Sequence, residues 1–332
     1  VPEVDYLDTS RRPDFADLPS GVHAAVARLV GSGVERAHPP VRSGFGGGFA
    51  GLVDLVDGRR VFVKAAGPTM PHLVRALGRE ALLLPHLADL RCPPRLLGGC
   101  APDAADGWQV LVLEALDGTQ PGGPWTDEDA EATHAACLEV ASLPAGAVAA
   151  MPLTGLRDDL AGAEGAVTRL LGDIADGSRD WPPGHVRVTA GAAGELARLS
   201  AAVLEATGGD QLVHLDLRPD NLVRERDGRI RVVDWNQAAR GAAWVDLVSL
   251  WPLQHHHGVD VGRLAASPLL RAVEAGSVDA FLAFLVGFML RTVDAPTPPG
   301  CTDSLRAHAL FLSDTTVRLL AARRGWQLRS PV

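Results

Sequence analysis

The chain has 332 residues, 47% of them hydrophobic and 21% charged, which is enough to bury a sizeable core and unlike a disordered tail or a fibre. Its formal net charge of −9 argues against general nucleic-acid binding, which needs a basic face, and suits small-molecule or cationic partners. Cys92, Cys100, Cys137 and Cys301 stand far apart with no C-x-x-C pair, so neither a zinc site nor a disulfide framework is implied, and a reducing cytoplasm is the expected location.

The opening stretch VPEVDYLDTSRRPDF is acidic and polar and lacks the charged-then-apolar order of a signal peptide, so no export is expected. RSGFGGGFAG, Arg42 to Gly51, is a glycine cluster whose backbone N–H groups can turn toward an anion. No G-K-[ST] follows, so it is not a Walker loop. GGFAGLVDLVDGRRVFVKAA alternates around Asp57-Gly58, a hairpin signal that places Lys64 near the end of the second strand. Lys64 is the only lysine among 31 basic residues of the Lys and Arg type. MPHLVRALGREALLLPHL opens a helix at Pro71 that runs through Leu87 and carries one acid, Glu80. After the break at Pro93-Pro94, WQVLVLEAL from Trp108 is another strand. The first 115 residues thus read as an antiparallel sheet with one helix packed on it.

The breaker cluster Pro121 to Pro124 changes the character of the chain. The expected junction lies near residues 115–124, dividing an N-terminal lobe, 1–115, from a mostly helical one, 116–332. Thr126 caps a helix that begins with acids, and another helix is read over Ala190 to Ala206. AFLAFLVGFML, Ala280 to Leu290, is too short a run to span a bilayer and reads as a buried core helix; no membrane partner is expected.

Between these helices stands QLVHLDLRPDNLVRERDGRIRVVDWNQ. Two short strands, around Leu222 and Val232, flank the Asp227-Gly228 turn, and His214, Asp216, Asn221 and Asp234 form H-x-D-x-x-x-x-N followed by a strand-end Asp. This pattern resembles the catalytic loop and metal-binding Asp of the protein-kinase-like superfamily, and especially its small-molecule branch, the aminoglycoside phosphotransferase and choline kinase family. The resemblance runs from about residue 40 to residue 250. It implies an α+β, two-lobed fold: a small antiparallel-sheet lobe with one main helix, and a larger helical lobe whose remainder supplies the acceptor pocket.

It also implies the chemistry. Phosphoryl transfer needs in-line geometry, a carboxylate at the attacking hydroxyl and cations against the phosphates. Asp216 is then the catalytic carboxylate, His214 a brace of the loop, and Asn221 and Asp234 the ligands of Mg²⁺, which prefers hard oxygens. Lys64 would contact the α- and β-phosphates of ATP while paired with Glu80, a slot that suits a compact amine better than a planar fork. Ser43 and the amides of Gly46, Gly47 and Gly48 would cover the phosphates; GTP in place of ATP stays open. Backbone groups from Glu114 to Leu116 would hold the adenine edge, with Leu113 and Val63 as apolar walls.

Some features depart from the family. Leu215 stands where the small-molecule branch often has Gly, and Arg218 two residues after the catalytic Asp is either an added cation for the phosphate or a solvent-facing group. D-F-G and A-P-E segments are missing, which disfavours a protein kinase, while the G-x-x-x-x-D-L from Gly241 to Leu247 matches the small-molecule branch and makes Asp246 a brace. The expected activity is an ATP-dependent O-phosphotransfer to a small-molecule hydroxyl, on an antibiotic or amino-sugar-like natural product, with cationic acceptors among the candidates. A choline-like or other metabolite kinase is one alternative, and a nucleotide-binding pseudokinase acting by association is another. His255 to His257 read as a solvated turn rather than a metal site, Trp244, Trp251 and Trp326 as core rather than acceptor pocket, and the acids Asp127 to Glu131 as a helix start.

Overall fold

Side-chain alternation along the strands decides which residues of the first lobe meet a ligand and which meet the core. In a computed structural model that describes residues 1–298 and 301–330, β1 (Val34–Ala37), β2 (Phe49–Leu55), β3 (Arg60–Ala66), β4 (Leu96–Cys100) and β5 (Gln109–Glu114) form an antiparallel sheet ordered β1-β2-β3-β5-β4. The β2–β3 hairpin turns at Asp57-Gly58, where Gly58 has φ 85°, a left-handed conformation that costs glycine little. Successive residues of a strand face opposite sides. Val61, Val63, Val110 and Val112 therefore share a buried face with Val22 and Val26 of α1 (Ser20–Val30). Phe62, Lys64 and Leu113 line the opposite face, where the interlobe cleft opens. Val63, expected beside the nucleotide, lies on the wrong face for that role, because a lysine at 64 aimed into the cleft takes Phe62 with it.

The lobe also holds two helices rather than the one expected. SGVHAAVARLV of α1 presents Val22, Ala25 and Val26 as a stripe that covers the sheet, and ends at Gly31 with φ 67°. The second helix, α2 (Pro71–Leu83), continues as a 3₁₀ turn to Leu87 and buries Leu77, Glu80 and Leu83.

The second lobe contains β6 (Gly118–Thr119), α3 (Asp127–Ala141), α4 (Ala145–Ala149), α5 (Leu156–Asp176), β7 (Arg187–Val188), α6 (Ala190–Ser200) and α7 (Val203–Ala206). It continues through β8 (Gln211–Val213), β9 (Leu222–Glu225), β10 (Ile230–Val232), β11 (Ala239–Gly241), α8 (Val245–His256), α9 (Val261–Leu264), α10 (Ala275–Val293), α11 (Ser304–Arg324) and β12 (Leu328–Arg329). The helix expected over Ala190 to Ala206 is broken at residues 201–202 into α6 and α7. β6 pairs with β9 and β9 with β10, so the chain joins the second lobe within four residues of leaving β5.

Among the described residues α10 is the one helix long and apolar enough to cross a membrane. It instead packs against α5, α6 and α11, with Leu282, Ala283, Val286 and Leu290 almost wholly buried, as a core helix.

The first nine residues form a strap that makes contacts with both lobes. The Val1 amine donates to the Gly184 carbonyl at 3.3 Å, Tyr6 Oη meets His308 Nδ1 at 2.8 Å, and Thr302 Oγ1 donates to the Thr9 carbonyl at 2.6 Å. The strap then crosses to the glycine-rich loop, where Thr9 Oγ1 donates to the Gly44 carbonyl at 2.8 Å. Its partners in the helical lobe lie 183 to 302 positions away, beyond the reach of local pattern.

Candidate active site

Lys64, near the end of β3, projects from the cleft face of the sheet. Its Nζ donates to both Glu80 carboxylate oxygens, at 2.9 and 2.8 Å, and to Asp234 Oδ1 at 3.0 Å. Glu80 is wholly buried and the Lys64 side chain is 11% exposed. Burial opposes the Lys64 charge, but Asp234 and Glu80 outweigh it and push the amine's pKa up. Burial works against the Asp234 charge too, yet Lys64 prevails and holds that carboxyl down at about 2. The amine is thus the electrostatic tie between α2, the sheet and the strand-end acid of the second lobe.

The loop that carries H-x-D-x-x-x-x-N runs from β8 to β9. Buried Asp246, at the start of α8, accepts from the backbone N–H of His214 at 2.7 Å and of Leu215 at 2.9 Å, the bracing expected of it. Leu215 adopts φ 66°, the left-handed region that explains why glycine suits this position and that costs a branched side chain about 1 kcal/mol. His214 Nε2 meets the Val233 carbonyl at 2.9 Å and its Nδ1 the Asp216 N–H at 3.2 Å. The ring is therefore neutral, donating at Nε2 and accepting at Nδ1; burial lowers its pKa accordingly.

Asn221 Nδ2 donates to the Asp216 carbonyl at 2.7 Å and to Asp216 Oδ2 at 3.1 Å. Burial raises the Asp216 carboxyl to about 6, with Arg218 acting in the opposite sense. Arg218 does not face solvent: it pairs with Asp216 Oδ1 and, at 3.0 Å, with Asp220 Oδ1, and its guanidinium lies 4.8 Å over the Phe45 ring of the glycine-rich loop. The donor set fits a hard divalent cation. The Asn221 amide nitrogen is committed to Asp216, which leaves its side-chain oxygen, and Asp234 Oδ2 takes no hydrogen bond among the described residues, while Oδ1 receives Lys64 and Asn236.

Between the lobes, a cavity of about 240 Å³ is walled by Phe62, Leu113, Leu116 and Val223, and Lys64, Asn221 and Asp234 reach it at one end. Ser43 and Gly44 line it, whereas Gly46, Gly47 and Gly48 lie outside its walls. Gly46 sits against Leu73, and a Cβ on Gly48 would come within 2.7 Å of the Ala65 carbonyl, so that glycine serves a close approach to β3. Glu114 and Leu116 border the cavity, but the Glu114 N–H is committed to the Arg95 carbonyl at 3.0 Å and its carboxylate to Arg231 and Arg95.

One cavity-lining residue escaped the sequence. Arg12, from the N-terminal strap, enters the same cavity and donates to the carbonyls of Val41 at 3.0 Å, Gly48 at 2.7 Å and Ser43 at 2.9 Å. No motif marks it.

The weaker signals resolve as structure. Trp244 and Trp251 are buried in the core. Asp127 to Glu131 pair with Arg224 and Arg263. His255 and His256 end α8 rather than forming a turn, and His257 meets Glu3 at 2.8 Å. Glu3, His256 and His257 bring ligand atoms within 4.8 Å of one another.

A sheet lobe and a helical lobe, with an amine–carboxylate triad spanning their cleft and a carboxylate–amide pair on the helical side, define a phosphotransferase of protein-kinase-like architecture. The family model of the phosphotransferase enzyme family (APH) matches residues 43–284, and the chain belongs to that family. Solved structures share the fold. The GDP and kanamycin complex of APH(2")-IIia aligns with TM-score 0.57 at 14% identity, covering 91% of this chain and 97% of that one. A thermostable mutant of APH(4)-Ia in ternary complex with ADP and hygromycin B gives 0.55 at 15%, covering 90% and 98%. The GDP complex of a mutant aminoglycoside 2'-phosphotransferase-IIIa gives 0.55 at 16%, covering 88% and 92%. A search of the curated proteins finds no match.

Proposed function

We propose that this phosphotransferase moves the γ-phosphoryl group of ATP to a hydroxyl of a small natural product, an antibiotic or other sugar-bearing compound, in the cytoplasm. The observation that carries the reading is the convergence of Lys64, Glu80 and Asp234 with Asp216 and Asn221 on one cleft. Kanamycin and hygromycin B, present in two structures of like fold, are acceptors of that general kind.

In this reading the acceptor hydroxyl lies against Asp216, whose carboxylate orients it and takes its proton as the oxygen attacks the γ-phosphorus. Lys64, fixed by Glu80, places the α- and β-phosphates. Asn221 and Asp234 would hold Mg²⁺, which when bound supplies positive charge against the phosphate oxygens. Arg218 adds a cation at the transferring group once it leaves Asp216. Ser43 and the glycine-rich loop close over the phosphates, with Gly46 to Gly48 contributing only if the loop shifts, and Leu116 is the hinge residue best placed to donate to an adenine edge.

The test is ADP formation with Mg·ATP, and in parallel GDP formation with Mg·GTP, across hydroxylated antibiotics and sugars. Acceptor-dependent ADP release that disappears with EDTA is expected. Tight Mg·ATP binding with no turnover on any acceptor would instead favour a nucleotide-binding pseudokinase.

A further inference from the structure

Asp216 and Arg218 border a second cavity of about 600 Å³, a volume in the range of drug-sized ligand pockets. Its floor is one face of α10: Phe281, Phe284, Leu285, Phe288 and Met289 recur at helical spacing and line it together. Phe284 and Phe288 stack with ring centroids 5.7 Å apart and planes 25° apart. Leu156 and Leu160 of α5 and Leu312 of α11 continue the apolar surface.

The charges on its walls cancel. Asp216 and Asp159 stand against Arg79 and Arg218. Asp216 is ion-paired with Arg218, Asp159 accepts from Thr154 Oγ1 at 2.6 Å, and Arg79 stands exposed at the cavity wall. A polycation placed here would set ammonium groups against phenyl rings with almost no free carboxylate to receive them, and buried charge without a partner is costly. A single cation could be met by aromatic faces or by Asp159. A hydrocarbon body, by contrast, leaves water as it covers the exposed ring of Phe288 and the apolar walls, at a gain proportional to area.

We propose that the acceptor is an amphipathic glycoside-like alcohol, with its hydroxylated head at Asp216, its apolar body on the α10 floor, and no more than one positive charge. This rests on the phosphotransferase reading of the same cleft. In the transfer step the head-group oxygen bonds to the γ-phosphorus, the bond from that phosphorus to the β–γ bridging oxygen breaks, the hydroxyl proton passes to Asp216, and ADP leaves.

The experiment is calorimetric binding to the full chain, saturated with Mg²⁺ and a non-hydrolysable ATP analogue, of glucose, octyl glucoside below its micelle concentration, and kanamycin. Octyl glucoside should bind about 100-fold tighter than glucose and tighter than kanamycin. Phe288, at 38% exposure, can be replaced without opening the core. Phe288→Glu should weaken octyl glucoside about tenfold and leave glucose unchanged. Leu82→Glu, on an exposed residue outside the cavity, should change neither. Kanamycin as the tightest ligand, equal affinity for octyl glucoside and glucose, or equal losses in the Phe288 and Leu82 variants would each overturn the proposal. ADP formation separates the two readings: the expected binding order without turnover on any acceptor supports the pocket assignment and sinks the kinase reading beneath it. Turnover that is best with kanamycin does the reverse.

Discussion

Burial raises the carboxylate of Asp216 to about 6, and in its proposed role it must be charged to take a proton. Acceptor kcat/KM should therefore fall about tenfold per unit as pH drops below that value, and hold level above it. Arg218 lowers the same pKa, so Arg218→Met should move the acid limb of the pH–rate profile to higher pH; an unmoved limb would show that another group titrates. Asp216→Asn should reduce kcat by about 10² to 10⁴ while calorimetric nucleotide affinity stays near that of the parent. At Lys64 charge alone is insufficient: the amine fits between Glu80 and Asp234 at 2.8 to 3.0 Å, where a planar fork needs more room. Lys64→Arg should raise the KM for ATP and lower kcat. Lys64→Met strands a wholly buried Glu80 carboxylate beside Asp234 and should cost about 3 kcal/mol in chemical denaturation. These side chains were legible because spacing and strand position point to each of them, and a lone lysine in an arginine-rich chain singles out residue 64.

At the level of elements, a clear period or a cap residue dictates the structure where it occurs. The β2–β3 hairpin, the entry of α2 at Pro71 and the α3 cap at Thr126 stand as their turn and cap residues dictate. The misassignments have physical causes. Val63 was given to the nucleotide although period-two alternation already set it opposite Lys64. The stripe of α1 is short and alanine-rich, so it carries little signal of its own. The apolar run of α10 was rightly read as buried, but local sequence cannot tell a face covered by helices from a face lining a cavity. Gly48 belongs to this scale as well. Gly48→Ala places a Cβ within 2.7 Å of the Ala65 carbonyl and forces the start of β2 away from β3, so urea unfolding should show a loss of about 2 kcal/mol.

At the scale of the whole molecule, the N-terminal strap ties the lobes together. Tyr6 bonds to α11, Thr9 joins residue 302 to the glycine-rich loop, and Arg12 holds three carbonyls of that loop and its flanks. Arg12→Ala should loosen the loop over the nucleotide cavity and raise the KM for ATP about tenfold, the loss of roughly one net hydrogen-bond energy, with kcat little changed. A fall in kcat with KM unaltered would assign Arg12 to the transfer step instead. Its partners are 29 to 36 positions away in sequence, and Tyr6 lies 302 positions from His308; separations of that kind leave no periodic trace.

The sequence by itself determined the two kinds of lobe, the hairpin that carries the amine, and the His-x-Asp, Asn and Asp spacing of the catalytic loop, because turns, caps and alternation act over a few neighbouring residues. Only the tertiary structure decided that Arg218 turns inward onto Asp216, that Arg12 reaches the interlobe cavity, and that one face of α10 borders a second cavity beside Asp216. Those outcomes depend on which distant surfaces pack together, and burial, pairing and pKa are properties of that packing.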